Sequence, residues 1–163
     1  EKAAFANGVQ VEALMNKAGA GVAQAVTKFF QQKPGRCVVF AGKGHNAGDA
    51  LFAAQCLASC GWKIEVRLAF KEADCGELMR KKLEDLRAAD SWQRHPADER
   101  LAESQCPTII LDGLLGVGAK PPLREPIRGA WRDINQFGKT KGPTACAVDF
   151  TTGVDRASST RGP

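Results

Sequence analysis

The stretch that decides the fold is residues 36–49, which read RCVVFAGKGHNAGD. Its first six residues are Arg36 and a continuous run of five apolar residues, which is typical of a strand buried on both faces of a parallel sheet. The eight residues that follow contain three glycines, and glycine lets a backbone turn tightly and approach a ligand closely. Residues 41–49 are therefore expected to form a loop between this strand and the next helix.

Helix and strand patterns alternate on either side of this stretch. Gly61 is expected to end the second helix as its cap. The order predicts an α/β fold in one domain, a Rossmann-like, doubly wound parallel sheet with helices on both faces in three layers, α/β/α. The periodicity predicts helices at residues 9–30, 50–60, 73–89 and 125–137, strands at residues 36–41, 62–70, 107–112 and 144–149, and a polar surface segment at residues 91–105.

The composition is that of a soluble globular protein. Of the 163 residues, 44% are hydrophobic and 25% are charged, which excludes disorder of the whole chain. The net charge of +5 favours ligands that carry phosphate, either a dinucleotide or a nucleic acid. The run Arg80-Lys81-Lys82 is expected to be a solvated helix face. No apolar run is long enough to span a membrane, and no signal peptide is visible, although a targeting segment upstream of Glu1 stays open.

The cysteines favour a reducing compartment, and we expect the cytoplasm. No CxxC pair occurs, and neither His45 nor His95 has a cysteine at the spacing of metal ligands. The thiols are therefore interpreted as small buried hydrophobic side chains, without a disulfide framework or a zinc site. The six cysteines are Cys37, Cys56, Cys60, Cys75, Cys106 and Cys146.

Three of the predicted strands lead into loops that contain an acid: Asp49, Asp112 and Asp149. Ligands of open parallel sheets bind at the carboxyl ends of the strands, so these loops are expected to converge on one crevice. Two simpler interpretations stay open. The glycine loop could be a tight turn without a ligand, and each acid could be a helix cap or part of an Asx turn. The glycine spacing matches neither GxGxxG nor a P-loop, which argues against a dehydrogenase.

The same loops offer oxygen ligands and one histidine. The hydroxyls of Thr151 and Thr152, together with the acids and Asn46, suit an alkali or alkaline-earth cation. His45 is a candidate acid or base near neutral pH. For His45, local hydrogen bonding is the favoured interpretation.

Four motifs resemble the family of NAD(P)H-hydrate epimerases, the YjeF N-terminal domain. The family pattern is LMxxAG, GKGNNGGDG, DxxxGxG and VDIPSGLD. This chain has LMNKAG at residues 14–19, GKGHNAGDA at 42–50, DGLLGVG at 112–118 and VDFTTGVD at 148–155. The order and separations agree over nearly the whole chain.

The chain departs from this pattern at several positions. His45 replaces an asparagine, Ala47 and Ala50 replace glycines, and residues 151–152 are Thr-Thr instead of Pro-Ser. Thr152 keeps a hydroxyl, whereas the methyl group of Ala47 stands where the family backbone is bare. The resemblance also implies that residues 1–163 form a YjeF N-terminal-like domain whose last strands are missing.

The resemblance implies an isomerase that interconverts the R and S epimers of hydrated NADH or NADPH in cofactor repair. It also implies one potassium ion per subunit, held by Asn46, Asp112 and Thr152, a homodimer, and a dehydratase partner that is separate or fused. Asp149 is the expected catalytic acid and base. An alternative is a catalytically altered module that binds another ligand or RNA as part of a scaffold. The implied substrate-binding residues are His45, Asn46, Ala47, Gly48, Asp49, Gly116, Val117, Gly118, Ala119, Lys120, Pro121, Pro122 and Asp149.

Overall fold

The computed structural model describes residues 11–31, 33–89, 107–116, 122–141 and 144–147. The predicted polar segment at residues 91–105 lies outside these ranges. The helices are α1 (Val11–Phe29), α2 (His45–Ser59), α3 (Glu77–Ala88) and α4 (Ile127–Lys141), with a short 3-10 helix at Glu72–Asp74. The strands are β1 (Arg36–Ala41), β2 (Lys63–Leu68), β3 (Thr108–Gly113) and β4 (Thr144–Ala147).

The described strands form one parallel sheet in the order β2-β1-β3-β4. β1 is central, and its first residue, Arg36, pairs with Lys63 of β2 and Thr108 of β3. Every later residue of β1 is buried, because the strand is covered on both faces. The continuous apolar run thus marks a central parallel strand, as predicted.

Helices cover the two faces of the sheet unequally. α1, α2 and α3 lie on the side of Val39, where the larger core cluster is found. α4 lies on the other side, where Ile127 and Ile134 pack with Val38 and Phe40. The doubly wound α/β/α prediction is confirmed.

The start of α2 differs from the expected boundary. The helix begins at His45, five residues before the predicted Ala50, so only Gly42, Lys43 and Gly44 separate it from β1. Gly44 is the extended N-cap residue and its carbonyl accepts the first helical hydrogen bonds. The prediction failed because Gly48 looks like a loop residue, whereas it is a helical residue at a close helix contact.

The end of α2 confirms the role of Gly61. Its φ is +85°, a conformation that glycine adopts without strain. The N–H of Gly61 donates to Ala58 at 2.9 Å, and the N–H of Trp62 donates to Leu57 at 3.1 Å. Left-handed glycine followed by such backward hydrogen bonds is a common helix ending.

α3 corrects two expectations. The predicted helix at 73–89 is broken at Cys75 and Gly76, and the α-helix begins only at Glu77. The run Arg80-Lys81-Lys82 is not one solvated face, because Lys82 is buried and its ammonium lies 2.8 Å from Glu12 of α1. Successive helical residues are separated by about 100°, so three in a row cannot share one face.

The remaining boundaries are close to the predicted ones. β3 ends at Gly113, one residue later than expected. α4 begins two residues after the predicted Glu125, whose carboxylate accepts the N–H of Gly129 at 3.0 Å. Residues 148–149, the predicted end of the last strand, lie outside the described part of the chain.

The cysteines differ in burial. Cys37 and Cys75 are buried, as predicted, but Cys56 is half-buried and Cys60 is exposed at the last turn of α2. Cys106 and the side chain of Cys146 are not described. Within the described ranges, no helix has the length and apolar character needed to cross a membrane.

Candidate active site

The candidate site lies where β1 and β3 end. These strands are neighbours, but the helix after β1 lies on one face of the sheet and the helix after β3 lies on the other. Such a change of direction opens a crevice at the carboxyl ends of the strands, which is where ligands of this fold class bind.

The two loops at this crevice touch through backbone atoms. The N–H of Gly42 donates to the carbonyl of Gly113 at 3.1 Å. A Cβ atom on Gly42 would clash with the carbonyl oxygen of Leu114, and one on Gly113 would lie 2.7 Å from the Cβ of Ala50. Gly42 is therefore required for the close approach of the two loops, and Gly113 for the close approach of β3 to α2.

The side chain of Asn46 joins α2 to the loop after β3. It is only 9% exposed, in the first turn of α2. Its Nδ2 donates to the carbonyl of Leu115, beyond β3, at 2.8 Å. Its Oδ1 is buried and has no hydrogen-bond partner among the described residues. A buried amide oxygen without a partner is costly, which suggests that a ligand normally satisfies it.

Asp112 lies shortly before Leu115 in the chain, at the end of β3. It is the penultimate residue of β3 and only 2% exposed. Its Oδ1 accepts the N–H of Leu114 at 3.1 Å, so the expected Asx-turn interpretation is correct for this bond. The buried carboxylate of Asp112 and the buried amide oxygen of Asn46 are both hard oxygen ligands of the kind that an alkali cation prefers.

Ala47 and Gly48 turn inward from the first turn of α2. The side chain of Ala47 is fully buried in the core cluster. A Cβ atom on Gly48 would clash with the thioether of Met15 from α1. The methyl group of Ala47 therefore does not obstruct the crevice. Only the backbone atoms of Ala47 and Gly48 could contact a ligand.

The other predicted site residues are described only in part. His45 is exposed at the first position of α2, and Asp49 is half-buried one turn later. Gly116 is half-buried and Pro122 is exposed. The remaining predicted residues lie outside the described ranges: Val117, Gly118, Ala119, Lys120, Pro121, Asp149 and Thr152.

Sequence reasoning missed two features of the site. The carbonyl of Leu115 fixes the Asn46 amide, and no sequence pattern marks a backbone acceptor. Lys43 lies over the ring of Phe70, with its ammonium 5.0 Å from the ring centroid. Phe70 lies two residues after the end of β2, at the same edge of the sheet, and this position is a signal that could have identified the pair.

The chemistry of the described site is that of oxygen ligands. The described residues include no group of three or more histidine, cysteine, aspartate or glutamate side chains that could hold a metal ion. Cys75, near the crevice, is not an activated thiol, because burial and the nearby carboxylates of Asp74 and Glu72 raise its pKa.

Comparison with known proteins agrees with this architecture. Residues 11–161 match the family model described as YjeF-related protein N-terminus. The bifunctional NAD(P)H-hydrate repair enzyme Nnr of Archaeoglobus fulgidus is 39% identical over 142 residues, which are 87% of this chain and 28% of that protein. The chain thus spans less than a third of the length of that relative.

A shorter relative and a solved structure are covered more fully. The NAD(P)H-hydrate epimerase of Cenarchaeum symbiosum is 30% identical over 162 residues, covering 95% of this chain and 70% of that protein. The crystal structure of yeast YNL200c superposes with a TM-score of 0.69 at 27% identity, covering 90% of this chain and 63% of that one. On this evidence, the chain belongs to the YjeF-related N-terminal domain family.

Proposed function

We propose that the chain is an NAD(P)H-hydrate epimerase domain, which interconverts the R and S epimers of hydrated NADH or NADPH in cofactor repair. The observation that carries the proposal is the match of residues 11–161 to the family model. Two similar proteins are named for this reaction or for the repair of NAD(P)H hydrate. The crevice between β1 and β3 supplies a site of the expected kind. No described feature favours the alternative of an RNA-binding scaffold module.

Asn46 and Asp112 fit a bound potassium ion. Asn46 offers a buried amide oxygen that lacks a hydrogen-bond partner among the described residues, and Asp112 offers a buried carboxylate. Thr152, the third proposed ligand, lies outside the described residues. One ion per subunit would offset the charge of Asp112 and hold the two loops together.

The proposed reaction needs one group that gives and retakes a proton, and Asp149 is assigned this role. Its acid form protonates the hydroxyl at C6, which leaves as water while the lone pair of the ring nitrogen stabilises the resulting iminium. Water then adds to C6 from the opposite face and returns a proton to Asp149. His45, exposed at the start of α2, is the second candidate for this role.

The remaining parts of the proposal concern the substrate pocket and partners. Residues 45–49 and 116–122 line the substrate site, with Asp149 contacting the substrate. A dehydratase, separate or fused as in the bifunctional relatives, consumes the S epimer. A homodimer in the cytoplasm completes the proposal, in keeping with the free thiols of the described cysteines.

Conversion of purified R hydrate to the S form, followed by chromatography, tests the function. We expect wild type to equilibrate the epimers and Asp149→Asn to lose at least about a hundredfold in rate. Asp133→Asn is the matched control, since Asp133 is an exposed carboxylate on α4. Absence of conversion by wild type contradicts the function, and full activity of Asp149→Asn contradicts only the assignment of the acid and base.

A further inference from the structure

We propose that Lys43, held over the ring of Phe70, binds a phosphate group of the dinucleotide at the β2 side of the crevice. The inference rests on the proposed function for the identity of the ligand. It assigns a specificity-determining residue and the class of group that this residue binds.

The backbone of Lys43 is fixed on two sides. Its carbonyl accepts the N–H of Gly76, at the start of α3, at 3.3 Å. The N–H of the preceding residue, Gly42, donates a hydrogen bond to the carbonyl of Gly113 in β3. Because both anchors are backbone groups, the position of Lys43 at the edge of the sheet does not depend on its own side chain.

The side chain of Lys43 has a defined direction. It extends toward β2, where its ammonium lies 5.0 Å from the centroid of the Phe70 ring. Phe70 packs against the core clusters of both faces, so its ring lies at the edge of the sheet itself. In the described part of the chain no carboxylate lies within ion-pair distance of Lys43, although it is exposed.

Lys43 and Asn46 point to opposite sides of β1. Asn46 reaches toward the end of β3, where its Nδ2 donates to Leu115, and Lys43 reaches toward β2. A dinucleotide whose reacting ring lies near Asn46 would extend past the end of β1 toward β2. A fixed ammonium on that path, which no acid of the described residues neutralises, matches the charge of a phosphate.

Two phosphates of the ligand have this chemistry: the pyrophosphate, present in NAD and NADP alike, and the 2′-phosphate of NADP alone. Calorimetric titration of wild type and Lys43→Met with NAD⁺ and with NADP⁺ distinguishes these two phosphate groups. We expect about a tenfold loss of affinity, the size typical of one charge-assisted hydrogen bond. An equal loss for both ligands indicates the pyrophosphate, and a loss confined to NADP⁺ indicates the 2′-phosphate.

The matched control is Lys63→Met, which removes an exposed lysine at the opposite end of β2. With hydrated substrates, Lys43→Met is expected to raise KM about tenfold and to change kcat less than twofold. The affinity of wild type should also fall with added salt more steeply than that of Lys43→Met. Lys43→Gln repeats the titration if the methionine variant does not fold.

Three results overturn the proposal: wild type binds neither dinucleotide at millimolar concentration, both Lys43 variants bind as tightly as wild type, or Lys63→Met loses as much affinity as Lys43→Met. The titrations use unhydrated dinucleotides and do not depend on turnover. A protein that binds through Lys43 but does not convert the hydrates would contradict the proposed function and leave this inference standing.

Discussion

The Nδ2 of Asn46 lies 2.8 Å from the carbonyl oxygen of Leu115, so that one side-chain amide joins the first turn of α2 to the loop that follows β3. Only the NH₂ group of an amide can donate to a carbonyl, and this bond therefore sets the orientation of the Asn46 side chain. The same orientation assigns the buried, unpartnered position to Oδ1, the atom that suits a cation.

Asn46→Ala is expected to remove the response of the protein to potassium. Wild type should unfold at higher temperature in KCl than in NaCl, because an ion that binds only the folded state stabilises it. The variant should show no such difference and should be less stable by about 1 kcal/mol from the lost hydrogen bond.

The control for this experiment is Asn135→Ala, because the exposed Asn135 makes a similar bond to the carbonyl of Trp131 at 2.9 Å. It should retain the response to potassium. Equal melting temperatures of wild type in the two salts would contradict the cation site.

Gly19→Ala and Gly21→Ala are expected to have opposite effects on stability, although both residues lie in α1. A Cβ atom on Gly19 would lie 2.6 Å from the carbonyl oxygen of Asp49 and 2.9 Å from the nitrogen of Ala53, both backbone atoms of α2. A Cβ atom on Gly21 would meet nothing within 4 Å.

Urea unfolding should show a loss of at least about 2 kcal/mol for Gly19→Ala, because the two helices must move apart. Gly21→Ala should gain about 0.5–1 kcal/mol from helix propensity. Similar losses for the two variants would show that the crossing of α1 and α2 tolerates a methyl group.

The sheet could be predicted from the sequence because its signals are local. The apolar run at β1 and the left-handed Gly61 gave boundaries that agree with the structure. A parallel strand buried on both faces needs such a run, and a helix ending of this type needs such a glycine. Both requirements act within a few residues of chain.

The features that could not be predicted depend on contacts between distant segments. Gly48 has no side chain because Met15, about thirty residues earlier in the chain, occupies the space that a side chain would need. Lys82 is buried because Glu12 lies opposite it. In the site, the orientation of the Asn46 side chain depends on the carbonyl of Leu115, 69 residues away. The residue type of Asn46 was enough to suggest a cation ligand, but not this orientation.

The effect of Gly48→Ala on the free energy of unfolding is expected to change sign when Met15 is replaced by alanine. In wild type the new methyl group collides with the Met15 thioether, and we expect a loss of about 1–2 kcal/mol. In a Met15→Ala background the collision is absent, and alanine should stabilise the helix by up to about 1 kcal/mol relative to glycine.

Urea unfolding of wild type, both single variants and the double variant measures this coupling. Met15→Ala alone should cost about 2–5 kcal/mol, so the comparison is made within each background. Additive effects would contradict the direct contact between these residues.

Glu65→Gln is expected to destabilise the protein at neutral pH but not in acid. Burial raises the pKa of Glu65, but hydrogen bonds from Arg36 and Arg67, the latter at 2.7 Å, outweigh it and lower the pKa below its ordinary value of 4.5. A carboxyl group whose pKa is lower in the folded state stabilises that state above its unfolded pKa. This stabilisation is lost as the pH falls through the folded pKa.

Urea unfolding at pH 7, 5 and 3 should therefore show a difference between wild type and Glu65→Gln that narrows with acidity. At pH 7 we expect about 1–2 kcal/mol, less than for a fully buried ion pair because Arg67 is partly exposed. Glu84→Gln, which changes an exposed glutamate of α3, should differ little from wild type at any of these pH values. A loss in Glu65→Gln that stayed constant from pH 7 to pH 3 would show that its cause is packing and not the charge of Glu65.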